Sequence, residues 1–193
     1  FSDLNKAVQF GKRVSKYYVG RGRAFSLKGD DRNALSDFKR AIKLDENNAL
    51  AYAERGEYYM ERNNYDKALA DYNYALELDP ELGEAYYGRG ILYADKNEHA
   101  EALASYNKAL ETMHDDTDVY TSRGAAYFYL DDYEASKADF TQALELDSEN
   151  VRAMNNRAVV EFCMGDYEAA KEDYTQGLEH IPSEPLLVGG MAV

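Results

Sequence analysis

The sequence predicts an all-α solenoid of stacked helix-turn-helix repeats, on three observations. One pattern returns every 34 residues, beginning at Ser15, Ala49, Gly83, Thr117 and Val151, with no insertion or deletion. A fixed period of this length marks a repeat array. Within each copy the recurring residues fall at the spacing of two helices. Turn-forming and cap-forming residues recur between those helices.

Positions are numbered below as slots 1–34 of each copy. Slot 4 holds Tyr18, Tyr52, Tyr86, Tyr120 and Met154. Slots 7 and 8 hold Arg21-Gly22, Arg55-Gly56, Arg89-Gly90, Arg123-Gly124 and Arg157-Ala158. Slot 11 holds Phe25, Tyr59, Tyr93, Tyr127 and Glu161. These four slots are spaced i, i+3, i+4, i+7, one face of a first helix. The turn follows, as Gly29-Asp30, Asn63-Asn64, Asp131-Asp132 and Gly165-Asp166. Glycine and asparagine tolerate the left-handed backbone of a turn, and Asp and Asn cap the helix after it. Slot 20 holds Ala34, Ala68, Ala102, Ser136 and Ala170, slot 24 holds Phe38, Tyr72, Tyr106, Phe140 and Tyr174, and slot 27 holds Ala41, Ala75, Ala109, Ala143 and Gly177. These line one face of a second helix, stopped by Pro80 in the second copy and Pro182 in the fifth. Small residues in slots 8 and 20 let the two helices approach, and aromatics fill the space beside them. Two short helices bury little alone, so the copies must stack.

The pattern of aromatic, Gly, aromatic, Ala, aromatic, Ala and Pro resembles the tetratricopeptide repeat (TPR) family. The resemblance covers residues 15–184 as copies 15–48, 49–82, 83–116, 117–150 and 151–184. It implies a right-handed superhelical α-solenoid over residues 1–193 as one array. Residues 1–14 read as the second helix of a truncated repeat, with Leu4, Ala7 and Phe10 in register, or as a capping helix. The uncharged stretch 185–193 reads as the start of a further repeat or as an apolar tail. In the fifth copy Met154, Ala158, Glu161 and Gly177 leave the pattern, and Gly177 should weaken its helix by about 1 kcal/mol relative to Ala.

The chain has 18 Tyr and no Trp, and most of the Tyr sit in repeat slots, which assigns them to packing. The single cysteine, Cys163, falls in a helix and reads as a small buried or half-buried residue. Asp115, Asp116 and Asp118 lack the spacing of a calcium loop and read as turn and helix-start carboxylates. No run is apolar enough to span a membrane, and the expected location is cytoplasmic. The net charge of −14 is uneven: residues 1–48 carry eleven Lys or Arg against six Asp or Glu (+5), residues 49–193 eleven against thirty (−19). That surface repels a phosphate backbone and excludes nucleic acid as main partner.

No phosphate-binding Gly loop, His-Glu-x-x-His, paired Cys or nucleophile elbow is present, so the chain reads as non-enzymatic, with no cofactor and no metal. Some TPR proteins grip chaperone C-termini with a Lys/Asn set. The Lys slot here holds Val19, Ala53, Tyr87, Thr121 and Asn155, so the resemblance does not extend to that function.

The family usually places an apolar residue where slot 7 holds Arg. Slot 23 holds Asp37, Asp71, Asp139 and Asp173, with Ser105 the exception, so Arg21, Arg55, Arg123 and Arg157 are expected to pair with these aspartates. Arg89 should differ.

In a TPR-like array slots 2, 5, 9, 12 and 13 face the concave side. The resemblance therefore implies a ligand groove in three zones. The first copy offers Lys16 and Arg23; the second and third offer Glu57, Glu61, Glu84 and Asp95, with Tyr87 and Ile91 among them, and Asp118 extends this acidic zone. An apolar stretch follows: Ala125, Phe128, Tyr129, Val159, Phe162 and Cys163, flanked by Arg152 and Asn155. Tyr87, Phe128, Tyr129 and Phe162 are not required by the repeat pattern and are the expected anchors. The implied function is a protein-interaction scaffold for a peptide or partner segment, basic near its middle with an apolar anchor. The alternative is a structural module that self-assembles end to end or as a homodimer through its ends.

Overall fold

A computed structural model describes residues 14–179, together with helical Asn5, Lys6 and Val8. The stretch 185–193, Pro182 and most of 1–14 (Leu4, Ala7 and Phe10 included) lie outside the described residues. So the truncated-repeat and tail readings are left where the sequence put them.

The described chain is all-α. Its helices are α1 (Ser15–Ser26), α2 (Asp31–Leu44), α3 (Ala49–Met60), α4 (Tyr65–Leu78), α5 (Gly83–Asp95), α6 (His99–Ala109), α7 (Thr117–Tyr129), α8 (Tyr133–Leu146), α9 (Val151–Met164) and α10 (Tyr167–Glu179). The chain divides into two compact units at Asp115/Asp116. In the first, α1–α2, α3–α4 and α5–α6 are tightly paired, and α3 meets both α1 and α5. In the second, α7–α8 and α9–α10 are paired, with α8 and α9 in contact.

The turns have the chemistry the sequence gives them. Gly29, Asn63, Asn97, Asp131 and Gly165 adopt φ values of 71°, 56°, 60°, 61° and 87°, the left-handed region that Gly, Asn and Asp tolerate best. The next residue starts the helix. Asp30 caps Asn33 N, Asp132 caps Ala135 N and Asp166 caps Ala169 N. Asp116 takes hydrogen bonds from the backbone of Asp118 and Val119, a helix-start role.

Slot 8 is glycine because a ring lies on it. A Cβ at Gly22, Gly56, Gly90 or Gly124 would sit 2.8, 3.0, 2.5 or 2.9 Å from the slot 24 ring of its own copy, Phe38, Tyr72, Tyr106 or Phe140. Those four rings are fully buried, as are the slot 20 and slot 27 residues of the same copies. Ser136 stays buried because its hydroxyl donates to the carbonyl of Gly124 at 2.7 Å.

The slot 7 arginines are paired within their own repeat. Nε and Nη2 of Arg55 donate to Asp71 at 2.7 Å each, and Arg21–Asp37, Arg123–Asp139 and Arg157–Asp173 repeat that geometry. In the first, second and fourth copies the guanidinium carbon lies within 6.0 Å of both the slot 4 and slot 11 rings, as Arg55 does of Tyr52 and Tyr59. Nη1 reaches back to slot 25 of the preceding copy: Asn5 from Arg21, Asn73 from Arg89, Thr141 from Arg157. One side chain thus ties a repeat internally and to its neighbour.

Two packing expectations are corrected. Cys163 is exposed: it lies in slot 13, one residue from the end of α9. Tyr174 is 40% exposed despite its slot 24 position, in the one copy whose slot 8 holds Ala, Ala158, and not Gly.

Candidate functional site

In the first unit α3 and α5 lie side by side with α4 packed against both. Their first-helix faces bound a cavity of about 200 Å³. Leu50, Glu54, Glu57 and Met60 come from α3; Glu84, Tyr87, Gly88 and Ile91 from α5; Arg23 from α1; Tyr72 from α4. Arg23 reaches Glu54 at 3.3 Å from a head that is 61% exposed. Tyr72 is only 2% exposed, and its hydroxyl has no hydrogen-bond partner among the described residues. It lies beside Gly88, where a Cβ would come within 2.6 Å of that oxygen.

Burial pushes the Glu54 carboxyl up to about 7, against the pull of Arg23 and with help from Glu57 and Glu84. Burial also raises Glu57, again opposed by Arg23 and assisted by Glu61. The Tyr72 phenol is held far above its ordinary value, by burial first and then by Glu57, Glu54 and Glu61. The cavity thus has a dehydrated floor at Glu54 and Tyr72 beneath the exposed carboxylates of Glu57 and Glu84, and a cation there would be stabilised.

In the second unit a cavity of about 200 Å³ is lined by Ala125, Phe128, Tyr129, Phe140, Asn156 and Val159. Tyr129 is 64% and Val159 38% exposed. Phe128 is half-buried, its ring 5.7 Å from those of Tyr129 and Tyr133. This pocket is predominantly apolar and has no ionisable carboxylate or amine in its lining.

The structure gathers Arg23, Glu57, Glu84, Tyr87 and Ile91 around the first cavity and Ala125, Phe128, Tyr129 and Val159 around the second. The other expected site residues line neither cavity. Lys16 is exposed over the ring of Tyr17. Glu61 accepts from Ser26 and pairs with Arg62. Asp95 is exposed at the end of α5. Asp118 and Arg152 pair with each other at 2.7 Å. Asn155 faces Gly177, where a Cβ would be 3.1 Å from its side-chain oxygen. Phe162 is 60% exposed and edges against Tyr167.

Sequence reasoning did not single out Glu54, Gly88 and Asn156 in slot 6, Leu50, Ala53 and Met60 of α3, or Tyr72 and Phe140 in slot 24. Slot 6 lies four residues from slot 2 and three from slot 9, so helical spacing places it on the same face. The signal was present: slot 6 reads Gly20, Glu54, Gly88, Ser122 and Asn156, and Glu54 is its one charged member. Among the described residues no group of three or more His, Cys, Asp or Glu is placed to hold a metal ion. No described helix is long and apolar enough to cross a membrane.

Three family models described as tetratricopeptide repeat match the chain: one at residues 19–83 and again at 53–116, one at 117–150 and one at 151–183. No curated protein matches it. Among solved structures it is similar to MamA (residues 41 to the end) from Desulfovibrio magneticus RS-1, with a TM-score of 0.77 and 20% identity over 89% of this chain and 97% of that one. YrrB, a TPR protein with an unusual peptide-binding site, aligns with a TM-score of 0.72 and 22% identity over 94% of this chain and 93% of that one. A chain of the APC/C hetero-tetramer Cut9-Hcn1 aligns with a TM-score of 0.83 and 18% identity over 94% of this chain but 36% of that one. At such identities the likeness is one of fold.

Proposed function

Because the chain belongs to the tetratricopeptide repeat family, we propose that it is a non-enzymatic protein-interaction scaffold that holds a peptide or partner segment on the face built by its first helices. One observation carries this: in each unit a cavity opens among first-helix residues of slots 6 and 9. The matching segment is basic where it meets the acidic cavity, or presents an apolar anchor to the pocket around Phe128, Tyr129 and Val159. YrrB, with its peptide-binding site, and Cut9-Hcn1, a complex, are precedents for such a role on this fold. A cytoplasmic setting goes with this reading, since the exposed free thiol of Cys163 stays reduced there.

The test is capture of a partner by the wild type and by a Tyr129→Ala/Val159→Asp variant. Both side chains are exposed, so the variant should keep its melting temperature and lose or weaken the partner. Equal capture by both proteins removes the apolar pocket from the reading. Light scattering that shows mass rising with concentration, with no partner captured, would favour self-assembly instead.

A further inference from the structure

We propose that the cavity between α3 and α5 is a socket for one basic side chain of a partner peptide, whose N–H groups donate to the carboxylates of Glu57 and Glu84 and to the phenolic oxygen of Tyr72. This rests on the scaffold reading above and names the chemistry of the partner at that site.

An acidic lining alone is common on so acidic a chain. The independent observation is the hydroxyl of Tyr72, buried at 2% exposure yet without a partner among the described residues. Buried hydroxyls in folded proteins are nearly always satisfied, so a bare one marks a place for a donor or acceptor that the fold itself does not supply. Packing does not need the oxygen: Phe38 and Phe140 fill the same slot 24 position, equally buried, with no hydroxyl. Gly88 lets the tip of Tyr72 lie against the α5 backbone at the cavity wall, since any Cβ there would meet the oxygen at 2.6 Å.

The charge around that oxygen selects the ligand. Glu57 and Glu84 enter no ion pair among the described residues. Among the described residues the internal cation, Arg23, pairs with Glu54, at 3.3 Å from an exposed side chain, and acts on Glu57 only at longer range. An anion would be repelled, and the carboxylates are not arranged to hold a metal ion. Leu50, Met60 and Ile91 offer apolar surface for a methylene stem, and Tyr87 offers a ring to the cationic head. A cavity of about 200 Å³ admits a side chain and not a peptide backbone. An ammonium brings three donors and a guanidinium five, so both lysine and arginine carry the required chemistry.

The experiment is selection of a displayed random dodecapeptide library on the wild type and on Glu57→Gln/Glu84→Gln. The wild type should enrich peptides with a basic residue, and the variant should not. The share of arginine against lysine among them tells which source of the cation the socket takes. Fluorescence anisotropy on the best peptide should then show about tenfold weaker binding to the double variant, a difference of about 1.4 kcal/mol. The same loss is expected when norleucine replaces the peptide's basic residue. Tyr72→Phe keeps the ring and should bind severalfold more weakly. Glu77→Gln/Glu81→Gln, exposed and outside the cavity, removes the same charge and should change nothing. Enriched peptides without a basic residue, or equal affinity for wild type and Tyr72→Phe, overturn the socket while leaving the scaffold reading intact. No enriched peptide on any protein removes both. If the double variant lacks the helical circular dichroism of the wild type, Tyr72→Phe decides.

Discussion

Arg89 donates to the hydroxyl of Ser105 at 3.3 Å, in the position where Arg21, Arg55, Arg123 and Arg157 each grip an aspartate by two hydrogen bonds of 2.6–2.8 Å. The third copy thus keeps the guanidinium, stacked 5.1 Å from the ring of Tyr86, and lacks its carboxylate. Ser105 is 1% exposed, in the slot where the other four copies bury an aspartate at 4–7% exposure. Ser105→Asp should therefore complete the pair and stabilise the first unit by about 1–2 kcal/mol, the range of a charge-assisted hydrogen bond. Denaturant unfolding at neutral pH measures it. A loss of stability would mean that the third copy has closed around serine and cannot take the larger side chain.

Gly90 and Gly56 occupy the same slot but leave different room. A Cβ at Gly90 would lie 2.5 Å from Tyr106, whereas one at Gly56 would lie 3.0 Å from Tyr72. Both rings are 2% exposed and have nowhere to move. Alanine gains about 1 kcal/mol of helix propensity over glycine, which offsets part of the clash. Gly90→Ala should still cost about 2–3 kcal/mol, as overpacking of a filled core does, and Gly56→Ala clearly less. Equal melting temperatures for the two variants would show that the rings yield.

The fold was legible because five copies give the same signal, and slots 8, 20, 24 and 27 carry a packing rule that does not depend on tertiary detail. The Arg–Asp pairs were legible for the same reason: two unusual residues recur together, and the one copy without Asp is the one with a different bond. The site was legible only in part. Glu57, Glu84, Tyr87 and Ile91 followed from the groove register, but Glu54 and Tyr72 did not. Tyr72 serves two purposes at once, its ring against Gly56 and its oxygen at the cavity, and a periodic pattern reports only the first. The fifth copy hid its packing too. Glu161 replaces an aromatic in slot 11, is 4% exposed, and is paired with Lys137 Nζ at 2.9 Å, a partner 24 residues away that no repeat spacing indicates.

The acidic cavity makes stability depend on pH through Glu54. Its carboxyl is raised to about 7, chiefly by burial, with Glu57 and Glu84 adding to the shift and Arg23 opposing it. A carboxyl raised in the folded state binds its proton more tightly there than in the unfolded chain. Its contribution to stability is therefore complete below the ordinary carboxyl value of about 4.5 and is lost as pH rises through about 7. Glu54→Gln keeps the shape of the protonated acid and has no proton to lose. The variant should match the wild type at pH near 4 and exceed it at pH 8, by a margin on the order of 1–3 kcal/mol. Comparing the two proteins cancels the other titrating groups. In the pair Arg23→Gln/Glu54→Gln the margin at pH 8 should persist, whereas Arg23→Gln alone should be less stable than wild type there, since the charged Glu54 has then lost its one opposing cation. A Glu54→Gln effect of the same size at both pH values would mean that the carboxylate is solvated in the folded protein, and the cavity would then be a wet cleft and not a dehydrated pocket.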